Sequence, residues 1–262
     1  MTVGITGPPG AGKSTLVDQV AKLLRRLGRT VGIIAVDPSS PYSQGAILGD
    51  RIRMQDHHAD PGVFIRSMAT RGRLGGIASG TLELALLLDA AGRDIVIIET
   101  VGVGQDEVDI ARLADVTVLV LMPGSGDDVQ AIKAGIMEVA DIFAINKADL
   151  PGADRLEQEI RAMQSFGDDS DRKGAAPVRR VVATEGKGLD ELLNVISAVF
   201  EKRGHQTSRV DTWAFRLREM LREVLLASIP DHDIQRHSDL VAAKVEDPYT
   251  AVEGLRAQLT TR

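Results

Sequence analysis

Eight consecutive residues, Gly7-Pro8-Pro9-Gly10-Ala11-Gly12-Lys13-Ser14, satisfy the pattern G-x-x-x-x-G-K-[ST] throughout, and Thr15 follows them. Glycines allow such a backbone to turn its N–H groups inward around a β-phosphate, and the helix that follows adds the positive end of its dipole. Lys13 can neutralise β- and γ-phosphate oxygens, and Ser14 offers a hydroxyl to Mg²⁺. An apolar run precedes the loop and a helical pattern follows it, which is the context this chemistry requires.

Asn146-Lys147-Ala148-Asp149 closes another apolar run. A carboxylate at Asp149 can accept both N1–H and the exocyclic N2–H₂ of guanine, a pair adenine does not offer. Asn146 can donate to O6 while the stem of Lys147 covers the ring. The turn Val182-Ala183-Thr184-Glu185-Gly186-Lys187-Gly188 is expected to close over the same base, bringing Ala183 and Thr184 to it. Glu99 ends the run from Asp94 to Thr100 and precedes Gly102 by three positions, so its carboxylate can hold Mg²⁺ or its waters while the Gly102 N–H meets a γ-phosphate. Asp37, at the end of a further run, and Asp50 are additional candidates for the Mg²⁺ shell.

The elements that must position these groups are short β-branched runs alternating with helical patterns: Val3–Thr6, Val31–Val36, Ile95–Thr100, Val116–Met122, Ile142–Asn146 and Val178–Ala183. Most are continuously apolar, as strands covered on both faces are. Between them, Leu16, Val17, Val20, Leu23, Leu24 and Leu27 mark one helical face. Similar patterns run over Leu82–Ala91, Val108–Ala114, Val129–Val139, Leu156–Phe166 and Leu189–Phe200. The expected fold is α/β: a P-loop NTPase with a mainly parallel, doubly wound sheet and a C-terminal helical extension. Residues 1–203 form the nucleotide domain and 204–262 the extension, in which Trp213, Leu217, Met220, Leu221, Val224 and Leu225 stripe a long helix that is read as a dimerisation arm. Asp247-Pro248 opens a last helix, Asp at the N-cap and Pro in the first turn.

Composition excludes several functions for this chain. Its 262 residues contain no cysteine, which removes disulfides, thiolate metal sites and a cysteine nucleophile. A net charge of −6 argues against a general nucleic-acid surface. No apolar run approaches membrane-spanning length and no signal-peptide pattern opens the chain, so a cytoplasmic protein is expected. Aromatics are 3%, so the core must be aliphatic. Asp56-His57-His58-Ala59-Asp60-Pro61 reads as a solvated loop rather than a metal or cobalamin site, because Pro61 stands where the cobalamin motif needs glycine. Asp168, Asp169 and Asp171 lie in a polar, turn-rich stretch and read as hydrated loop, lacking the spacing of a Ca²⁺ site.

Four segments, VDPSSPYSQGAILGDRIRM, FIRSMATRGRLGG, ETVGVGQDE and PGSGDDVQAIKAG, resemble the MeaB/MMAA (ArgK-like) GTPases in type and order. The resemblance implies a Mg²⁺-dependent GTPase, with GTP as substrate and GDP as product, that serves as chaperone of an adenosylcobalamin-dependent acyl-CoA mutase and binds no cobalamin itself. It further implies that Lys13 and Ser14 serve phosphate and Mg²⁺, that Asp37, Asp50 and Glu99 line the metal and hydrolysis centre, and that Gly102–Gln105 is a second switch. Asp128, Gln130 and Lys133 fall on a third switch facing the mutase, Asn146, Lys147 and Asp149 on the guanine site, and the tail on a homodimer contact. Departures are the start directly at the first strand, Ala46 and Arg51-Ile52 where the family carries Ser and Lys-Thr, and Val182 in place of a serine. These suggest a compact subgroup, one whose mutase could be a 2-hydroxyisobutyryl-CoA enzyme. The alternatives are a metallochaperone-type GTPase, which the lack of cysteine opposes, a small-molecule kinase, which Asn146-Lys147-Ala148-Asp149 opposes, and a GTP-binding regulator without turnover.

Overall fold

The computed structural model describes residues 1–37, 54–57, 59–69, 80–100, 113–124, 140–165, 175–204 and 208–260. Seven strands form one sheet: β1 (Thr2–Thr6), β2 (Val31–Asp37), β3 (Val63–Ala69), β4 (Ile95–Thr100), β5 (Val116–Leu121), β6 (Ile142–Ile145) and β7 (Val178–Arg180). Their order is β3-β2-β4-β1-β5-β6-β7, with every pairing parallel. From β1 the chain runs out to β2 and β3, returns to place β4 beside β1, and then continues outward on the other side through β5, β6 and β7. The direction thus reverses beside β1, and ligands of such sheets bind at the carboxyl strand ends near that reversal.

Helices cover both faces, as a parallel sheet requires. On one face, α1 (Lys13–Arg26) and α4 (Leu189–Gly204) pack Leu16, Val20, Leu192 and Ile196 onto Val3, Ile5, Ile97 and Val118. On the other, α2 (Thr81–Ala90) sets Ala85 and Leu88 against Ile34, Val36, Val96 and Ile98, while α3 (Ala153–Ser165) sets Leu156 and Ile160 against Leu119, Leu121 and Phe143. Alternate residues of β4 and β5 thus serve opposite helices, which is why Ile95–Ile98 and Val118–Leu121 read as apolar runs. Among the described residues Phe143 is the one aromatic of the largest fully buried side chains, so the core they form is aliphatic, as composition requires.

Three expectations change. Val63–Ala69 is not among the expected strands; it is one of the sheet's two outer strands, where Arg66 and Ser67 interrupt the apolar run and Phe64 is exposed. Leu27 drops off the α1 stripe, because the helix ends at Arg26 and Leu27 is its exposed C-cap. The run Val178–Ala183 is strand only to Arg180, and Ala183–Glu185 forms a 3₁₀ turn.

The described chain divides into two compact units, Met1–Arg209 and Val210–Arg262. The second holds most of α5 (Ser208–Ala227), with α6 (Asp231–Ala242) and α7 (Pro248–Thr260). The Asp247 carboxylate accepts from the Tyr249 and Thr250 N–H groups at 2.9 and 3.1 Å, the N-cap that Asp247-Pro248 announces. Helix α6 was not expected, since none of its residues is buried and its pattern is correspondingly polar. Among the described residues no helix is long and apolar enough to cross a membrane. The expected helices over Val108–Ala114 and Val129–Val139 lie mostly or wholly outside the described residues, as do Asp168, Asp169 and Asp171.

Candidate functional site

β1 runs straight into the glycine-rich loop. Gly7 has φ 141°, and a Cβ there would lie 2.1 Å from the Val120 carbonyl oxygen, so only glycine lets the chain cross the end of β5. Lys13, the first residue of α1, is buried, and its Nζ donates to the carbonyls of Gly7 (2.6 Å) and Pro8 (3.0 Å). The ammonium therefore lies inside the curl of the loop formed by Gly7, Pro8, Pro9, Gly10, Ala11 and Gly12, ahead of Ser14 and Thr15.

Parallel register brings the carboxylate to this loop. Ile5 stands opposite Glu99, and the buried Glu99 Oε1 accepts from Ser14 Oγ at 2.6 Å. A hydroxyl and a carboxylate are hard oxygen donors of the kind Mg²⁺ takes, so this pair fits that ion. Asp37 closes β2 at the same edge of the sheet, one residue beyond Val36, which is in register with Thr100. Asp50, Gly102, Asp128, Gln130 and Lys133 lie outside the described residues.

Asn146 follows β6 and is buried. Its Nδ2 donates to the Ala11 carbonyl at 2.9 Å, and its Oδ1 accepts from the Ala183 N–H at 3.1 Å. The side chain expected to meet guanine O6 thus has its oxygen and one N–H engaged by backbone, leaving the second N–H for a base. Gly12 makes this possible, because a Cβ there would stand 2.5 Å from Asn146 Nδ2. Lys147 takes a left-handed φ of 55° and donates to the Gly10 carbonyl at 2.9 Å. Gly12, Thr15, Asn146, Lys147, Asp149, Leu150, Val182, Ala183 and Thr184 line one cavity of about 240 Å³. In the turn that follows Thr184, the Glu185 carboxylate holds the Lys187 ammonium above its ordinary range, and the charge of Asp149 adds to the effect.

Sequence reading missed three neighbours. Met122 Sδ lies 3.5 Å from Lys147 Nζ, Leu150 lines the base cavity, and Thr100 Oγ1 donates to Thr6 Oγ1 at 3.1 Å beneath the loop. Thr100 lies within the quoted ETVGVGQDE segment, but what each of the three touches is set by tertiary contact and not by the neighbouring sequence. In the segment read as a solvated loop, Asp56, Ala59 and Pro61 are exposed as expected, and His57 is the exception. Gln55–His57 is a 3₁₀ turn whose His57 is buried, its Nε2 sharing a hydrogen with Asp18 Oδ1 at 2.9 Å. Lys22 and Arg25, also on α1, hold the flanking Asp56 and Asp60 carboxyls below their ordinary range through side-chain hydrogen bonds. His58 lies outside the described residues.

A model of the family described as methylmalonyl Co-A mutase-associated GTPase MeaB matches residues 1–232. A Pyrococcus abyssi protein classed by name as a GTPase is 48% identical over 261 residues, which is 96% of this chain and 81% of that one. The GTPase ArgK of Escherichia coli K12 is 51% identical over 149 residues, 57% of this chain and 45% of its own length. A crystal structure described as an LAO/AO transport system kinase superposes with a TM-score of 0.65 at 28% identity, covering 99% of this chain and 82% of that one.

Proposed function

Since the chain belongs to the MeaB family of methylmalonyl-CoA mutase-associated GTPases, we propose that it hydrolyses GTP in a Mg²⁺-dependent manner to gate cofactor loading or repair of an adenosylcobalamin-dependent acyl-CoA mutase. The observation that carries the nucleotide assignment is Asn146, whose one carboxamide joins the phosphate loop at Ala11 to the turn at Ala183. The base cavity and the phosphate loop are thereby a single piece of structure, with the Asp149 carboxylate at the guanine edge.

The reaction is in-line attack of water on the γ-phosphate, and it needs positioning and charge stabilisation rather than a covalent intermediate. Loop N–H groups and Lys13 bind the phosphates, with the ammonium exchanging its loop carbonyls for phosphate oxygens. Ser14 and Glu99 would hold Mg²⁺, joined in this reading by Asp37 and Asp50, and an ion bound there would supply neutralisation of phosphate charge. Asp149 selects guanine, Lys147 covers it, and Ala183 and Thr184 close the pocket.

In this reading the partner is the mutase for methylmalonyl-CoA or a related one such as 2-hydroxyisobutyryl-CoA mutase, and cobalamin stays on that partner. Asp128, Gln130 and Lys133 are assigned to the mutase-facing switch on the family resemblance. A homodimer through α5 is supported by the exposed Leu217, Leu221 and Val224. The test is GTP turnover with and without a saturating mutase. Stimulation is expected, and Gln130→Ala and Lys133→Ala should keep the intrinsic rate while losing most of the stimulation. Equal loss with and without the mutase would place both residues in the basic hydrolytic site instead.

A further inference from the structure

We propose that Thr100, through Thr6, is a positioning residue that sets the Glu99 carboxylate against the phosphate loop. The β1–β4 register runs Thr2–Val96, Val3–Ile97, Gly4–Ile98 and Ile5–Glu99. One step further on, the strands are joined by side chains: Thr100 Oγ1 donates to Thr6 Oγ1 at 3.1 Å. The hydroxyl pair extends the pairing to the last residue before Gly7, whose carbonyl holds Lys13. On the other side of the pair it reaches the residue after Glu99, whose carboxylate accepts from Ser14.

Neighbouring strand residues project to opposite faces, so Glu99 and Thr100 hold the end of β4 from both sides. On the α1 face the Ser14–Glu99 contact ties β4 to the helix after the loop. On the opposite face the Thr100–Thr6 contact ties it to the strand before the loop. Both threonines are buried, 0% and 2% exposed, and their lateral neighbours in the sheet are Leu119 and Val36. In an apolar seam two valines would pack as well, because replacing both partners of a buried hydrogen bond by apolar groups of the same shape is nearly neutral for stability. A fixed distance is what the hydroxyls add: they hold the two strand ends together one step past the Ile5–Glu99 pairing.

This inference rests on the reading of Ser14 and Glu99 as the Mg²⁺ residues, and the experiment separates the two. The full chain is loaded with a fluorescent GDP, and nucleotide release is followed against Mg²⁺ concentration beside thermal unfolding. The variants are Thr100→Val, Thr100→Ser, the double Thr6→Val/Thr100→Val, and Ser14→Ala as reference. Groups that orient a metal's ligands typically change its affinity about 10- to 100-fold, so Thr100→Val should raise half-saturating Mg²⁺ by about 10-fold. Thr100→Ser should restore the parent requirement. The double variant should regain parent thermal stability yet keep the raised Mg²⁺ requirement, which a purely structural pair would not do. The proposal is overturned if the double variant recovers both, or if Thr100→Val matches the parent while Ser14→Ala is shifted. If Ser14→Ala itself leaves the Mg²⁺ dependence untouched, the metal assignment falls, and the positioning role falls with it.

Discussion

Asn146 Nδ2 donates to the Ala11 carbonyl across 2.9 Å although 135 residues separate them in the chain. The same carboxamide accepts from Ala183, so one buried side chain satisfies backbone groups of two separate loops. Asn146→Ala should therefore loosen phosphate and base sites together. Each backbone group left unsatisfied in the interior costs about 1–3 kcal/mol. Fluorescent-GDP affinity and the urea midpoint should both fall; a loss of affinity with unchanged stability would mean that Asn146 acts on the base alone.

Guanine preference is expected to depend on Asp149, which lines the base cavity where it can meet N1–H and N2–H₂ together. Asp149→Asn should exchange guanine for xanthine, whose C2 carries an oxygen. Losing paired charge-assisted hydrogen bonds should weaken GTP by about 2–4 kcal/mol. Competition between GTP and XTP on the parent and the variant decides this, and equal GTP binding by both would refute base recognition by Asp149.

Lys13 and Ser14 are adjacent but should fail differently. Lys13 is held by the Gly7 and Pro8 carbonyls, so Lys13→Ala should largely abolish phosphate binding or turnover. Ser14 touches Glu99 instead, and Ser14→Ala should mainly raise the Mg²⁺ needed for turnover. Hydrolysis by Lys13→Ala at the parent rate would refute the phosphate-loop assignment.

How much of this was legible depended on where the information lay along the chain. The phosphate loop and Asn146-Lys147-Ala148-Asp149 are contiguous, and their chemistry is local, so residue type and spacing sufficed. Strands β4, β5 and β6 are covered on both faces, which leaves mostly apolar runs such as Ile95–Ile98, Val118–Leu121 and Ile142–Ile145. Strand β3 sits at the edge with Arg66 and Ser67 in it, and α6 buries nothing, so neither leaves that signature. Thr6 and Thr100 meet only because register brings together residues 94 positions apart. His57 looked like one polar residue among others until Asp18, on α1, supplied its partner.

Acid should weaken the first unit in a defined direction. The Thr30 backbone N–H and hydroxyl, with Arg29, hold the Asp94 carboxyl below its ordinary value of 3.8. The Arg25 guanidinium and the Gly62 N–H do the same for Asp60. A carboxyl with a lowered folded-state value contributes its stability in full above the unfolded value and loses it as pH falls through the lowered one. Urea midpoints should therefore decline from about pH 4 downward, and Asp94→Asn should flatten that decline while lowering the plateau above it. A variant whose decline parallels that of the parent would show that Asp94 titrates alike in both states.

Association through the tail should follow from the spacing of its exposed apolar residues. On α5, Val210, Leu217 and Val224 recur every seven residues, and Leu221 falls four after Leu217, which is the a/d spacing of paired helices. Leu217, Leu221 and Val224 are 59%, 57% and 67% exposed in the single chain. Burying one such aliphatic side chain fully is worth about 1.5–3 kcal/mol, so three from each of two chains supply a substantial driving force. Charge is an efficient probe, because a carboxylate facing its own copy across a two-fold seam is both desolvated and repelled. Leu217→Glu combined with Val224→Glu should convert a dimer to a monomer in light scattering at micromolar concentration. Nucleotide affinity should be retained, since the residues lining the base cavity all precede Glu185. A parent chain that is already monomeric at that concentration would rule out the seam. A dimer that survives both charges would place the contact on another surface.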